Sequence, residues 1–440
     1  MVKRTTASHV LAACAWLGIC PAAAREADVP AGTSEFAAGL AVFLANVQHP
    51  MTGLPASFPD SRQEELRTVA FTYDVAASAL ALAHYFGPAP ARRALGTYLG
   101  MALPSAREPS GPVRFNTAYH VATGRPTLEH RLHGGPVFWL AIAMMRVGDQ
   151  TGDAGMRDRG IRMLEWVRAH FNHFDGGIVM GVAEPWSFVT SVENNWVYYA
   201  ALRIASGRSS PGPRRTALMR ERRAVYAWLT AHAGMRGDGD AVKALDTYTH
   251  PLLVGPEAHL EDGAFGHPEE LAAWARDWVE ELERLFRVPG TSRYDYTDAR
   301  EARQLGRARA GWLEGTEQVA VAYQTWAPWF ERLGDRQTAA RVREAAEAAR
   351  RDVRAFARTW RGEGVAVPNT DSPEVFQTFM DGWSARPKDE AALNGTNWAY
   401  FAEAAYNPFT MALPRRADAQ PMLTEDALRA RPAGVGAAAN

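Results

Sequence analysis

Several stretches of this chain are apolar on nearly every helical face: Val75 to Phe86, Pro136 to Val147, Trp196 to Ala205, Val319 to Phe330 and Trp398 to Tyr406. A helix of that kind has no side to offer water and must be surrounded by protein. Amphipathic stretches follow them in order: Ala91 to Leu103, Met156 to Phe171, Thr216 to Ala233 and Thr338 to Trp360. In Met156 to Phe171, Met163, Leu164, Val167 and Phe171 make one stripe while Arg157, Asp158, Arg162 and Arg168 lie off it, so that face covers a core and the other meets solvent. A further amphipathic segment, Pro268 to Phe286, follows a less regular apolar piece, Thr249 to Val254. Buried and half-exposed helices in alternation predict an all-α fold, an inner ring wrapped by an outer ring of antiparallel hairpins. No repeat of fixed period is visible, which argues against a solenoid. Strand signals are few, and the best, Gly176 to Ala183, reads as a short loop hairpin.

No Ser/Gly/Pro tract or charge run interrupts the interior, so residues 25–414 read as one catalytic body, followed by a flexible tail, 415–440. Residues 1–24 have the layout of an export signal: Lys3 and Arg4, an apolar run from Val10 to Ile19, and Ala22-Ala23-Ala24 as the cleavage site, with a mature start near Arg25. Fewer apolar residues precede Cys14 than the roughly 7–15 an h-region needs, so the expectation is soluble export to the periplasm or the extracellular space. Both cysteines, Cys14 and Cys20, fall inside this segment, which leaves the mature chain no disulfide and no thiolate. No later run of about 20 apolar residues could span a bilayer. The formal net charge is −1 and the basic residues are scattered, so neither nucleic acid nor an anionic membrane is an expected partner. The 14 Trp and 13 Tyr are more informative, because flat amphipathic rings fill cores and also suit the apolar faces of sugar rings.

Polar or aromatic clusters introduce the buried helices: Phe71-Thr72-Tyr73-Asp74, Glu129-His130-Arg131-Leu132-His133, Thr190-Ser191-Val192-Glu193-Asn194-Asn195, Gly311-Trp312-Leu313-Glu314-Gly315-Thr316 and Asn394-Gly395-Thr396-Asn397-Trp398. If the inner helices run parallel, these clusters converge on one mouth rich in carboxylate, amide and ring. Helix capping is the plainer explanation, and Thr190 with Glu193 has the spacing of a capping box. Capping does not call for Tyr73, His133, Trp312 or Trp398 beside the caps. Glycosidic hydrolysis needs one carboxyl to protonate the leaving oxygen and another to activate water or attack the anomeric carbon. Glu193, Glu314 and Asp74 are the catalytic candidates, since partial desolvation at a buried helix start can raise one pKa while a neighbour stays ionised. Candidate substrate contacts are Tyr73, Tyr119, His130, Arg131, His133, Asn194, Asn195, Trp196, Asp246, Tyr248, Trp312, Asp381, Trp383, Asn397 and Trp398. His130 and His133 do not fit a zinc motif, and no phosphate-cradling glycine motif or nucleophile elbow is present, so no metal or cofactor is expected.

At these residues the chain resembles the six-hairpin glycosidases, the (α/α)6-toroid superfamily of secreted bacterial sugar enzymes. The resemblance lies in Thr72-Tyr73-Asp74, in Ser191-Val192-Glu193-Asn194-Asn195, and in Trp312-Leu313-Glu314-Gly315-Thr316 followed by Ala320, Ala322 and Tyr323. In architecture it covers about residues 35–410. It implies a poly- or oligosaccharide substrate and carboxylates at the mouth of a helical barrel. Glycoside hydrolysis is therefore the leading expectation. A lyase or sugar epimerase on the same fold, using the cluster His130, Arg131 and His133 with Tyr73 or Tyr119, is the second. A sugar-binding protein without chemistry is the third.

Overall fold

The stretches apolar all round fold as helices whose residues are almost entirely buried, and short connections turn each back into an amphipathic neighbour, which forces antiparallel pairs. A computed structural model describes residues 34–100, 114–127, 132–232, 243–263, 265–362, 364–378 and 384–410, all within the compact unit Ser34–Leu413. The segment 1–24 expected to direct export and the tail 415–440 lie outside the described residues. The helices that build the unit are α1 (Glu35–Asn46), α2 (Thr72–Phe86), α3 (Pro88–Gly100), α4 (Gly134–Thr151), α5 (Ala154–His170), α6 (Val192–Arg208), α7 (Pro213–His232), α8 (Asp246–Leu253), α9 (Pro268–Phe286), α10 (Leu313–Arg332), α11 (Arg336–Arg354) and α12 (Leu393–Glu403).

Even-numbered helices form the inner layer. Each packs on the next, α2 on α4, α4 on α6, α6 on α8, α8 on α10 and α10 on α12, and α12 returns to α2, so the row closes into a ring. Outside it, α3 covers α2, α5 covers α4, α7 covers α6, α9 packs on α8 and α11 covers α10. The outer position on α12 is filled by α1 from the other end of the chain, which buries Leu40, Phe43 and Leu44 completely. The irregular apolar piece at 249–254 is the short inner helix α8, with Pro251 inside it.

Residues after α12 close one end of the ring. Asn407 Nδ2 donates to Leu253 O at the end of α8 (2.7 Å) and to Thr325 Oγ1 of α10 (2.9 Å), while Arg146 of α4 donates to Pro408 O (3.0 Å). This segment crosses the C-terminal halves of three inner helices, and its Phe409 ring lies 5.1 Å from Trp139 and 5.2 Å from His250.

Strands are confined to loops: β1 (Val69–Phe71) pairs with β2 (Ala118–His120), β3 (His173–Phe174) with β4 (Gly177–Ile178), β5 (Arg358–Thr359) with β6 (Val365–Ala366) and β7 (Phe376–Gln377) with β8 (Ser384–Ala385), all antiparallel. The hairpin expected at Gly176 to Ala183 starts earlier, at His173. Val179 and Gly181 pair instead with Thr190 and His133, because the backbone there is drawn to the starts of α6 and α4.

Candidate active site at the inner helix starts

Tyr73, Glu193, Glu314 and Asn394 are each the second residue of an inner helix, of α2, α6, α10 and α12. The ring brings three of these positions into direct contact. Tyr73 Oη donates to Glu314 Oε1 (2.5 Å) and accepts from Trp398 Nε1 (2.6 Å), and Asn394 Nδ2 donates to Glu314 Oε2 (2.6 Å). Both oxygens of one carboxyl are thus held by side chains from two neighbouring helices.

Burial pushes Glu314 up to about 8; the bonds from Tyr73 and Asn394 oppose this, and the charges of Asp74 and Glu193 add to it. Those charges mark Asp74 and Glu193 as members of the same electrostatic cluster. Asp74 is itself pushed up to about 7 by burial, against a hydrogen bond from Ser57. Its backbone carbonyl accepts from Asn397 Nδ2 (3.2 Å), and Asn397 Oδ1 accepts from Ser78 (3.1 Å). Glu193, by contrast, is only half-buried. A protonated, desolvated carboxyl beside a partly solvated one is the environment in which acid and base roles separate. The rings of Trp139, 5.2 Å from Tyr73 and 5.9 Å from Trp398, and of Phe409 back this cluster on the closed side.

Helix capping does not account for these carboxyls. Phe71, Trp312 and Ala392, the caps of α2, α10 and α12, make no side-chain capping bond. On α6 the cap is Ser191, whose Oγ accepts from Asn194 N (3.3 Å). That shifts Glu193 one place from the position a capping box requires.

Other expected contacts are structural. Trp196 points away from the mouth into a ring cluster with Tyr199, Tyr226 and His259, since it lies on the side of α6 that packs outward. Tyr248 likewise stacks on Trp278 of α9, and its hydroxyl reaches Glu281 (3.2 Å). Tyr119 is buried in β2 against Tyr98, accepting from Asn116 N (2.8 Å). Asn195 is committed to backbone: it accepts from Ile178 N (2.8 Å) and donates to Ile178 O (2.9 Å) and Ser191 O (2.7 Å). Asn397 is spent on Asp74 and Ser78. Trp312 folds back over Gly315, where a Cβ would collide with its ring, and packs on Tyr296 at 4.9 Å.

Asn194 stays near the mouth, pressed against Gly135 at the start of α4, a position where any side chain would strike its amide. His133, half-buried, is the residue before α4 and packs on Trp186 at 5.1 Å. Asp246 is buried at the start of α8, 3.9 Å from His250. His130, Arg131, Asp381 and Trp383 lie outside the described residues.

Asn394 and His250 stand in stretches that the sequence marks, but neither is among the candidate contacts named from it. Burial holds His250 neutral, its pKa lowered to about 3, and its ring bonds to the backbone of Glu193. Aligning the inner helices on their first residues would have found Asn394, because it shares the second position with Glu193 and Glu314. Among the described residues no group of three or more His, Cys, Asp or Glu is placed to hold a metal ion, and no helix is long and apolar enough to cross a membrane. A groove of about 440 Å³ on the outer wall, lined by Glu283, Arg287, Ser292 and Asp352, has both acids engaged: Glu283 accepts from Tyr294 (2.5 Å) and Tyr323 (2.7 Å), and Asp352 accepts from Ser292 N (2.8 Å) and Arg293 (3.3 Å).

No family profile matches the chain, and no curated protein does. Solved structures do. A cellobiose 2-epimerase from Spirochaeta thermophila is 15% identical with a TM-score of 0.58, the match covering 92% of this chain and 98% of that one. A glycosidase variant is 13% identical with a TM-score of 0.55, covering 85% and 96%. An α-amylase from Clostridium perfringens is 9% identical with a TM-score of 0.52, covering 83% and 96%. At such identities the likeness speaks to fold alone. The chain has the (α/α)6-toroid fold, with α1 and α12 forming the closing pair.

Proposed function

We propose that this chain is a carbohydrate-active enzyme that hydrolyses a glycosidic bond in a poly- or oligosaccharide, with Glu314 as proton donor and Glu193 as the carboxylate that activates water or attacks the anomeric carbon. The observation that carries this is the pair of donors on a desolvated Glu314. With its pKa near 8, Glu314 holds a proton at neutral pH and can deliver it to a leaving oxygen. The charge left on the carboxyl then meets Tyr73 Oη–H and Asn394 Nδ2–H, already in place on both oxygens. Donors arranged in advance stabilise charge as it develops, with no reorganisation at the moment of reaction. Burial keeps Glu314 protonated, and the charge of Asp74 adds to that where Asp74 is ionised. The fold shared with a glycosidase and an amylase supports the reading.

Epimerisation is the second reading, favoured by the broad match to a cellobiose 2-epimerase and by His133 standing half-buried at the start of α4. Incubation with a panel of di- and oligosaccharides in heavy water separates the readings. New reducing ends with no deuterium on carbon support hydrolysis. Deuterium beside the anomeric carbon without cleavage supports epimerisation, ultraviolet-absorbing unsaturated uronates indicate a lyase, and binding without turnover indicates a sugar-binding protein. The same reading includes export, with a mature chain starting near Arg25; an intact mass that retains residues 1–24 on protein recovered from its native cell would refute that part.

A further inference from the structure

Helix α12 reaches Glu314 by two routes, one direct and one through Tyr73. Asn394 and Trp398 stand four residues apart on that helix, so they share one face. Asn394 Nδ2 donates to Glu314 Oε2 (2.6 Å). Trp398 Nε1 donates to Tyr73 Oη (2.6 Å), which in turn meets Glu314 Oε1 (2.5 Å). Trp398 is fully buried, its ring edge-on to Trp139 at 5.9 Å and to Phe401 at 5.4 Å, and this packing fixes where its N–H points.

The donor chemistry sets the direction of each proton in the cluster. An indole nitrogen only donates, so Tyr73 Oη accepts from Trp398. Among the described residues the other partner of that hydroxyl is Glu314, which is therefore the one acceptor for the Tyr73 proton. Asn394 is oriented in the same sense, because its Oδ1 accepts from Gly395 N (2.8 Å) and leaves Nδ2 to face the carboxyl. Each oxygen of Glu314 thus receives a proton, and neither meets a side chain that takes one. Burial holds the Glu314 pKa at about 8, so at neutral pH the carboxyl carries a further proton that none of these neighbours accepts.

We propose that Trp398 is a positioning residue: by donating to Tyr73 Oη it turns the Tyr73 proton toward Glu314, which leaves the Glu314 proton to an acceptor oxygen of the substrate. The proposal rests on the hydrolytic reading for the use of that proton, which passes to the leaving oxygen as its bond to the anomeric carbon breaks. It goes beyond that reading by assigning the proton's direction to a tryptophan that has no bond to the carboxyl. Without the indole, Tyr73 Oη can accept from Glu314, and the acid's proton turns inward.

The first test is the indole N–H magnetic resonance signal of Trp398, in the full chain with tryptophan labelled by heavy nitrogen. The signal is identified by its loss in Trp398→Phe or, should that variant not fold, in Trp398→Tyr. Ionising Glu314 strengthens its bond from Tyr73, which makes Oη a better acceptor and strengthens the Trp398 bond in turn. The signal should move to lower field as pH rises through about 8. Asp74 and Glu193 also act on Glu314, so the movement must vanish in Glu314→Gln, and it must vanish in Tyr73→Phe. A signal that stays put, or a movement that survives in either variant, overturns the proposal; no substrate is needed, so the hydrolytic reading is judged apart. The second test is kinetic. Trp398→Phe keeps a ring in the packing and removes the donor, so kcat should fall about tenfold, less than the roughly 10²–10⁴-fold for loss of the acid itself. KM should hold, and the alkaline decline of kcat/KM should move to higher pH. A tryptophan that only packs would lower the melting temperature and leave that decline in place. That result, or a raised KM with kcat unchanged, overturns the positioning role.

Discussion

At Glu314 burial and hydrogen bonding pull in opposite directions, and burial wins. The consequence is a carboxyl that keeps its proton at neutral pH while two donors wait for it to lose that proton. Replacing Glu314 by Gln preserves volume and most bonding but removes the transferable proton, so turnover should fall roughly 10²–10⁴-fold with the melting temperature held. Glu193→Gln should show a loss of the same order. Near-normal turnover in both variants, with lowered melting temperatures, would mean that the carboxyls serve only the helix starts. The pH profile carries a sign. With an acid whose pKa is about 8, kcat/KM should decline as pH rises through that value. Tyr73 favours the ionised form of Glu314, so Tyr73→Phe should move the decline to higher pH; a decline that stays put would separate the limb from Glu314.

The inner helices are uniform in burial but not in how well they are satisfied. Glu317, one turn after Glu314 on α10, is fully buried, and neither carboxyl oxygen has a hydrogen-bond partner. Burial and the charge of Glu403 hold its pKa well above the usual carboxyl range, against the pull of Arg350 and Arg354, with Glu347 adding to the rise. A group raised in the folded state contributes stability that is complete below its unfolded pKa and is lost as pH rises toward the folded value. Glu317→Met removes both the unsatisfied oxygens and that dependence, so it should be neutral or stabilising, with a melting advantage that grows toward alkaline pH. An advantage greatest in acid would contradict the assignment. On α6 the Ser191 cap is an ordinary one, and Ser191→Ala should cost about 0.5–2 kcal/mol in chemical denaturation.

Closure of the ring depends on two ends of the chain meeting. Phe43 of α1 packs edge-on to Trp360 at 5.3 Å, and Glu403 at the end of α12 accepts from Ser34 (3.3 Å), Arg350 (2.8 Å) and Arg354 (2.5 Å). Phe43→Ala should therefore destabilise the whole unit by about 3–5 kcal/mol in denaturant unfolding. An effect within experimental error would show that α1 is dispensable for closure. The all-round apolar stretches and the stripes between them already determined an all-helical body of inner and outer layers, because a helix without a polar face has nowhere else to go. The polar clusters at the helix starts likewise marked Tyr73, Asp74, Glu193 and Glu314, since charge and amide before a buried run are visible without coordinates. Which of the neighbouring residues face the mouth was decided only in three dimensions. Trp196, near the start of the helix that carries Glu193, and Tyr248, at the start of the inner helix α8, turn outward, because successive helical residues are separated by about 100° and the direction of the ring's axis is a property of the packed assembly. The helix-start position marks Asn394, but its bond to Glu314, like the place of α1 on α12, arises only through contacts between segments far apart in the chain.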